Sequence, residues 1–206
     1  MKKYLFTLAI LGVVSLALAA NDDDKSFQPL FNGKDLTGWK LRRPGAHNSW
    51  SVQPGGILKN TIEEGQHGVD LLTEQKVRNF VVRYEYMTPD NSNSGFYLRG
   101  RQEIQILGDH NSGKTSKGSN GALYDFKAPD QFVTKPGGEW QTAEATVIGN
   151  RITVILNGVK IHDNVQCDQA TGGELDRNLD QPGPILLQGD HGIVSFRNIR
   201  LKELPQ

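Results

Sequence analysis

Short segments in which apolar and polar residues alternate dominate the pattern of the chain. The longest covers residues 79–87 (NFVVRYEYM), where Phe80, Val82, Tyr84 and Tyr86 fall on one face of an extended strand. Further alternating segments follow at 94–99, 103–107, 139–148, 151–156, 159–164, 184–188 and 193–201. Alternation of period two, with turn residues between the segments, predicts half-buried β-strands. No window of a dozen residues keeps apolar positions three and four apart, so we predict an all-β protein.

Two tight turns are predicted to join three of these strands into an antiparallel meander. Gly149-Asn150 separates 139–148 from 151–156, and Asn157-Gly158 separates 151–156 from 159–164. Asn-Gly favours a two-residue hairpin because both residues readily take the positive φ of a type I′ turn. Roughly eleven to thirteen strands are predicted, more than the seven of a simple immunoglobulin sandwich. The expected fold is therefore a two-sheet antiparallel jelly-roll sandwich.

Composition narrows the class of protein. Lys and Arg number 23 and Asp and Glu number 23, and there is no basic stripe, so a nucleic-acid partner is not expected. Cys167 is the single cysteine, so packing rather than an internal disulfide must stabilise the fold. Two polar, glycine-rich stretches, 108–138 and 166–182, predict long loops. Such loops on a rigid sandwich commonly carry the functional site.

The N-terminus has the pattern of a secretory signal peptide. Lys2 and Lys3 precede an apolar run, and residues 17–20 (ALAA) offer a cleavage site of small residues. The run is shorter than the roughly 20 residues of a membrane-spanning helix, so stable membrane insertion is not expected. We therefore expect export to a bacterial periplasm. The predicted segments are a signal peptide at 1–20, a charged mobile leader at 21–26 and a single jelly-roll domain at 27–204.

A polar face is predicted on two neighbouring strands. The residues expected to point into the core are Phe96, Leu98, Ile104 and Ile106. The residues that alternate with them and point away are Tyr97, Arg99, Glu103 and Gln105. Aromatic rings and planar polar groups suit the recognition of a sugar. A solvated outer face with surface ion pairs is the other interpretation of the same pattern.

The tripeptide Gly-Asp-His occurs twice, at 108–110 and 189–191, each time directly after an apolar strand. Residues at strand ends on one rim of a sheet can converge, so these side chains could form a base with an orienting group or a divalent metal site. Chance recurrence, with each Asp capping a turn, is the alternative. The candidate metal ligands are Asp109, His110 and Asp190. His162 lies on the exposed side of a predicted strand and is predicted to be a surface residue.

Several catalytic motifs are absent. The chain has no Gly-x-Ser-x-Gly elbow, no P-loop and no dinucleotide-binding fingerprint. The strand from Glu103 to Gly108 (EIQILG) carries Gln105 and Gly108 where the E-x-D-x-x-E strand of jelly-roll glycosidases has acids. A retaining glycosidase needs a second carboxylate about 5 Å from the first. By alternation, Glu85 is the best candidate for it.

Eight short segments, in order, resemble one known family. They are 31–39 (FNGKDLTGW), 93–100 (NSGFYLRG), 103–106 (EIQI), 121–124 (GALY), 138–140 (GEW), 157–158 (NG), 187–192 (LQGDHG) and 196–200 (FRNIR). The family was once labelled a domain of unknown function and is now called the 3-keto-disaccharide hydrolases; the resemblance runs from residue 27 to residue 204. It implies a concanavalin-like or glucanase-like jelly roll and a small sugar substrate oxidised at C3. The loop 108–120 cannot be mapped onto the family.

The resemblance also implies a set of site residues. The implied catalytic residues are Glu103, His191 and Arg197. The implied substrate-binding residues or neighbours are Tyr97, Arg99, Gln105, Asp109, Tyr124 and Gln188. A ketone at C3 acidifies the hydrogen at C2, so one base can form an enolate that expels the C1 substituent, after which water adds back. Glu103 or His191 would be the base, and Arg197 or a divalent metal held by Asp and His would stabilise the enolate oxygen.

Two other classes of protein remain open from the sequence. A non-catalytic carbohydrate-binding module would bind sugar without turnover, since many jelly rolls are lectins. An ordinary glycoside hydrolase acting on unmodified sugars would need Glu85 to lie close to Glu103. Neither the oligomeric state nor the need for a metal follows from the sequence.

Overall fold

The computed structural model describes residues 25–205 as one all-β domain of thirteen strands. The predicted signal peptide at 1–20 and most of the predicted leader at 21–26 lie outside the described residues. Within residues 25–205 no helix is long and apolar enough to cross a membrane. The strands are β1 Gln28–Pro29, β2 Trp39–Leu41, β3 Trp50–Gln53, β4 Ile57–Asn60, β5 Leu71–Thr73, β6 Phe80–Met87, β7 Asn93–Leu98, β8 Gln102–Leu107, β9 Gln141–Ile148, β10 Arg151–Leu156, β11 Val159–Gln166, β12 Leu186–Leu187 and β13 Val194–Glu203.

Two antiparallel sheets form the sandwich, which confirms the predicted fold. The larger sheet has eight strands in the order β11-β10-β9-β6-β13-β4-β3, with β1 pairing to β13. The smaller sheet has the order β2-β5-β12-β7-β8. The predicted meander is β9-β10-β11, and its second turn has positive φ at Asn157 (53°) and Gly158 (82°), as Asn-Gly favours.

The hydrophobic core lies between the two sheets. On β6 the even-numbered residues are buried, as their alternation predicts, and the odd-numbered ones are half-buried on the outer face. The Tyr84 ring from the larger sheet stacks on Phe96 from the smaller one, with centroids 3.9 Å apart. Trp39 and Trp50 are also buried in this core. Ring stacking of this kind adds roughly 0.5 to 1.5 kcal/mol beyond area burial, so these rings tie the sheets together.

The outer face of the smaller sheet is a covered polar surface. Ile104 and Ile106 of β8 are in the core, so Glu103 and Gln105 point the other way. The loops that follow β8 and β11 pack over this face, and the backbone of the first loop bonds to Gln105 through the carbonyl of residue 122. Although Glu103 and Gln105 point away from the core, they are 3% and 4% exposed. The interpretation as a solvated outer face is therefore wrong for this pair.

His162 is a core residue, which corrects its prediction as a surface residue. The pairing of β10 with β11 shifts register around Val154, so Ile161 and His162 are both buried although they are consecutive. Nε2 of His162 lies 2.9 Å from the carbonyl oxygen of Gly121. Burial lowers the pKa of His162 to about 4, with the Gly121 contact opposing the shift. The alternation rule failed here because a bulge breaks the period of two.

Candidate functional site

A cavity of about 200 Å³ opens on the outer face of the smaller sheet. Strands β7 and β8 form its floor with Asn93, Tyr97, Glu103 and Gln105. The walls come from the loops and from the segment after β12, and consist of Tyr124, Gly172, Gly173, Gln188 and His191. The rigid strands thus hold the floor, while the chain segments between strands shape the opening.

Glu103 is the buried acid at the floor of the cavity. Its Oε2 accepts a hydrogen bond of 2.8 Å from the Tyr97 hydroxyl, and its backbone N–H donates to Thr171 Oγ1 at 2.9 Å. Its Oε1 lies where a Cβ on residue 95 would be, at 2.2 Å from that position, so only glycine fits there. The carboxyl group is therefore fixed from two sides.

The environment of Glu103 tunes its proton affinity. Burial raises the pKa of Glu103 to about 7, while the Tyr97 hydrogen bond and the charge of His191 oppose the rise. Asp70 and Asp190 add a smaller upward push on the same pKa. A carboxyl group with this pKa is populated in both protonation states near neutral pH. It can therefore take a proton from a substrate and give one back.

Three amide side chains face the cavity with unused hydrogen-bonding capacity. The oxygens Oδ1 of Asn93, Oε1 of Gln105 and Oε1 of Gln188 are buried and have no hydrogen-bond partner within the described chain. A buried polar group without a partner costs roughly 1 to 3 kcal/mol, so three around one cavity suit a bound ligand or ordered water that pairs with them. A molecule with several hydroxyl groups, such as a sugar, matches this arrangement.

His191 stands at the rim of the cavity and is exposed. Its Nδ1 contacts Oδ1 of Asp190. A carboxylate only accepts hydrogen bonds, so Nδ1 carries the hydrogen and Nε2 of the neutral imidazole is left unprotonated. The second Gly-Asp-His tripeptide thus places a histidine beside a carboxylate that orients its ring. Its use as a base, one of the two uses considered from its sequence, stays a prediction.

A second, charged cavity of about 260 Å³ has Asp190 on its wall, next to the His191 rim. Arg42 lines it, and its Nη1 lies 3.0 Å from Oδ2 of Asp70. The same guanidinium donates to the carbonyl oxygens of Gly173 (2.8 Å) and Glu174 (3.0 Å). Arg42 therefore ties the loop that walls the first cavity to the rest of the smaller sheet.

Arg197 does not lie in the cavity. It is on the outer face of the larger sheet, where it bonds to Oε2 of Glu85 at 2.6 Å and stacks over the Trp140 ring at 4.0 Å. Glu85 and Glu103 thus belong to different sheets and face opposite sides of the sandwich. The condition for an ordinary retaining glycosidase, two close carboxylates formed by these residues, is not met. A cavity of about 270 Å³ near Glu85 is lined by ion-paired groups such as Arg83 and Glu144.

Arg99 is also separate from the cavity. Strand β7 ends at Leu98, and Arg99 has a φ of 55° in the turn to β8, so alternation does not continue to it. The side chain is 1% exposed, and its Nη2 lies 3.4 Å from Oδ1 of Asn150, which belongs to a turn of the larger sheet. Tyr97 keeps the predicted orientation and Arg99 does not.

The predicted metal ligands are not brought together. Asp109 accepts a hydrogen bond from the backbone N–H of Asn120 at 3.1 Å, and Nδ1 of His110 lies 2.8 Å from the carbonyl oxygen of Thr134. Asp190 pairs with His191 instead. Within residues 25–205 no group of three or more His, Cys, Asp or Glu side chains is arranged to hold a metal ion. The residues present therefore do not fit the divalent metal site considered from sequence.

The cavity combines residues that the sequence indicated with others that it did not. The predicted residues that line it are Tyr97, Glu103, Gln105, Tyr124, Gln188 and His191. The residues that sequence reasoning did not assign to the site are Asn93, Gly95, Thr171, Gly172 and Gly173. Asn93 begins the strand that carries Tyr97. Gly172 and Gly173 are consecutive glycines in a predicted long loop, a pattern that indicates a close approach of the backbone to another group.

Fold and cavity together define a jelly-roll protein with a pocket lined by a buried acid and polar side chains. Its family follows from comparison with known proteins: residues 26–202 match the 3-keto-α-glucoside-1,2-lyase-like domain, and the chain belongs to that family. The resemblance seen in the eight short segments is thereby confirmed.

A curated relative and two solved structures are similar to this chain. A 3-keto-disaccharide hydrolase of Bacteroides thetaiotaomicron is 24% identical over 155 residues, which cover 61% of this chain and 53% of that protein. The chain thus spans about half the length of this curated relative. A crystal structure of a candidate glycosyl hydrolase from Parabacteroides distasonis has 28% identity and a TM-score of 0.71, covering 87% of this chain and 84% of that one. A second from the same organism has 22% identity and a TM-score of 0.74, covering 91% and 99%.

Proposed function

We propose that this protein is an exported, periplasmic enzyme that cleaves 3-keto-glycosides, including 3-keto-disaccharides, by elimination across C2 and C1 followed by hydration. The observation that carries the proposal is the buried Glu103, with a pKa of about 7, at the floor of a cavity lined by three amides with unpartnered oxygens. The family match supports a 3-keto sugar as the substrate class. A single buried acid suits the abstraction of one proton beside a ketone.

In the proposed reaction Glu103 removes the hydrogen from C2. The electron pair of that C–H bond forms an enolate with the C3 carbonyl. The enolate then expels the oxygen substituent from C1, leaving an unsaturated 3-keto sugar. A water molecule adds to C1, and Glu103 returns its proton to C2. The ketone is regenerated, so the net change is hydrolysis of the C1–O bond with no oxidant or reductant consumed.

His191 has a separate part in the proposal. The group that leaves C1 departs as an alkoxide and needs a proton, and the water that adds must lose one. The imidazole is at the cavity rim, where a leaving group would exit, and Asp190 orients its ring. In the proposed reaction the protonated imidazole gives its Nε2 hydrogen to the departing oxygen, and the neutral imidazole that results takes a proton from the water that adds. We therefore assign proton transfer at C2 to Glu103 and proton transfer to and from the oxygen at C1 to His191.

Stabilisation of the enolate oxygen falls to groups of the cavity. Arg197 lies on the other sheet, paired with Glu85, so it cannot contact a sugar bound above Glu103. The amide N–H groups of Asn93 and Gln188 are donors that line the same cavity as the acid. Donors held in place before the reaction stabilise developing charge without reorganisation. These two side chains replace the arginine and the metal that were considered from sequence.

The direct test is turnover of a nitrophenyl 3-keto-glucoside compared with its unoxidised parent. We expect release of nitrophenol from the keto substrate alone, and a loss of at least about 100-fold in kcat for Glu103→Gln, since a positioned base contributes 10² to 10⁴. His191→Ala should also lower kcat. Glu85→Gln is the matched control, because it makes the same change to an acid of the other sheet, and it should keep turnover near wild type.

Each other outcome points to a different class of protein. Release from both substrates, lost in Glu85→Gln, would identify an ordinary glycosidase. Saturable sugar binding without any turnover would identify a binding module, which the unpartnered amides of the cavity also suit. Wild-type turnover in both Glu103→Gln and His191→Ala would overturn the assignment of the site.

A further inference from the structure

The Tyr97 hydroxyl has one hydrogen and two acceptors within reach. Its oxygen lies 2.8 Å from Oε2 of Glu103 and 2.7 Å from the carbonyl oxygen of Gly172. A phenol donates a single full hydrogen bond, so these two acceptors compete for it. Tyr97 is 1% exposed, and its ring packs in a small cluster with Leu72, Leu186 and Leu175 that holds it in place.

The protonation state of Glu103 decides which acceptor receives the hydrogen. When Glu103 is a carboxylate it can only accept, so the Tyr97 hydroxyl donates to it and not to Gly172. When Glu103 is neutral, its proton either lies on Oε2 and is donated to the Tyr97 oxygen, or lies on Oε1 and leaves Oε2 as an uncharged acceptor weaker than the Gly172 peptide carbonyl. In both cases the Tyr97 hydrogen is free to bond to Gly172. A charge-assisted hydrogen bond is roughly twice as strong as a neutral one, so the carboxylate takes the hydrogen whenever it is ionised.

The segment 171–173 is placed to respond to this exchange. Gly173 has a φ of 80°, and a Cβ there would lie 2.6 Å from the Tyr97 hydroxyl, so only glycine allows this approach. Thr171 accepts the backbone N–H of Glu103, and Arg42 donates to the Gly173 carbonyl. Both of these bonds persist in either protonation state. The Tyr97–Gly172 bond is the contact of this segment that changes.

We infer that Tyr97 is a positioning residue that transmits the protonation state of Glu103 to the segment 171–173 at the cavity wall. The segment is held by one more hydrogen bond when Glu103 carries its proton than when it is ionised. The other charged groups that act on the Tyr97–Glu103 pair are Asp70, Asp190 and His191, with Asp70 itself paired to Arg42.

The inference has a consequence for turnover that rests on the proposed function. Proton transfer from C2 makes Glu103 neutral, which turns the Tyr97 hydrogen toward Gly172 and fixes the wall while the enolate exists. Return of the proton to the sugar ionises Glu103 and releases the wall. The exchange itself depends only on the three groups described, so it takes place whether or not the protein acts on a keto sugar.

Solution NMR of the isotope-labelled protein tests the exchange without any substrate. A correlation through the Gly173 amide reports the carbonyl carbon of Gly172, whose chemical shift follows its hydrogen bonding. We expect this signal to titrate with the same midpoint as the carboxyl carbon of Glu103. Glu103→Gln should lock the Gly172 signal near its low-pH position, because the amide N–H donates permanently to the Tyr97 oxygen.

Two variants provide the comparison. Tyr97→Phe should abolish the pH response of Gly172 and raise the apparent pKa of Glu103 by about one unit, since the carboxylate loses its charge-assisted bond. Tyr124→Phe removes a hydroxyl from the same cavity and should leave the response intact. The inference is overturned if Gly172 stays flat while Glu103 titrates, or if Tyr97→Phe titrates like the wild type. Failure of the proposed function would show instead as no turnover with the NMR response preserved.

Discussion

The absence of a side chain at residue 95 determines where the carboxyl group of Glu103 lies. Gly95 lies under Glu103 on β7, and its missing Cβ leaves the space that Oε1 occupies. Its backbone is not in the positive-φ region, so the glycine is required by the approach of the carboxyl group and not by the strand itself. An alanine at this position would be compatible with the strand but would clash with the carboxyl group of Glu103.

Gly95→Ala is therefore expected to displace the Glu103 carboxyl group and lower kcat by about 100-fold, the effect typical of a misplacement of about 1 Å. The measurement is turnover of the 3-keto substrate, with circular dichroism to show that the sheet is retained. Gly118→Ala is the matched control, because a Cβ there meets no atom within 4 Å. If Gly95→Ala keeps full turnover, Glu103 does not act from the position described.

At the scale of elements, the strands fix the floor of the cavity and the loop after β11 forms a wall that is held from outside. Arg42 connects that wall to the sheet through the carbonyls of Gly173 and Glu174 and through Asp70. Hydrogen bonds to charged groups contribute about 1.5 to 3 kcal/mol each. Arg42 thus holds this wall together with the backbone bonds from Thr171 to Arg101 and from Leu175 to Gly100.

Arg42→Met should loosen the wall while leaving the acid in place. We expect KM for the 3-keto substrate to rise by about 10-fold with a smaller change in kcat, and faster amide hydrogen exchange in residues 171–175. Arg43→Met is the neighbouring control, since Arg43 bonds to the carbonyl of Gly68 and not to this loop. Equal exchange rates in both variants would show that Arg42 does not order the wall.

At the scale of the whole molecule, two buried groups make the free energy of unfolding depend on pH in opposite directions. Glu103 has a folded pKa of about 7, above its ordinary 4.5, so the folded state binds more protons between these values and stability falls as pH rises. His162 has a folded pKa of about 4, below its ordinary 6.5, so the unfolded state binds more protons and stability rises with pH over that window. Each shift corresponds to about 3 kcal/mol.

These opposite effects largely cancel in the wild type between pH 4.5 and 6.5, and single substitutions should expose them. Relative to the wild type, Glu103→Gln should become more stable as pH rises, with a gain approaching about 3 kcal/mol at pH 8. His162→Gln should lose less stability than the wild type as pH falls from 6.5 to 4. Urea unfolding across this range is the measurement; parallel curves for all three proteins would contradict both assignments.

The sequence predicted the fold and the residues on the floor of the cavity better than it predicted the positions of His162, Arg99 and Arg197. Alternation was sufficient for Glu103 and Gln105 because β8 is regular and its isoleucines mark the core side. It failed for His162, where a bulge breaks the period, and for Arg99, which follows the last residue of its strand. Arg197 was assigned by resemblance alone, and only the three-dimensional sheet order shows that it faces the opposite side of the molecule.

The floor of the cavity lies on strands and its walls lie on loops, and this division has an evolutionary consequence. Glu103 and two of the three amides lie on β7 and β8, whose other face packs in the core. The walls belong to the loops after β8 and β11 and to the segment after β12, so insertions there leave the core packing untouched. If the site acts as proposed, descendants of one ancestor could differ in the sugars they accept through changes in these loops, while Glu103 and its buried surroundings are inherited unchanged.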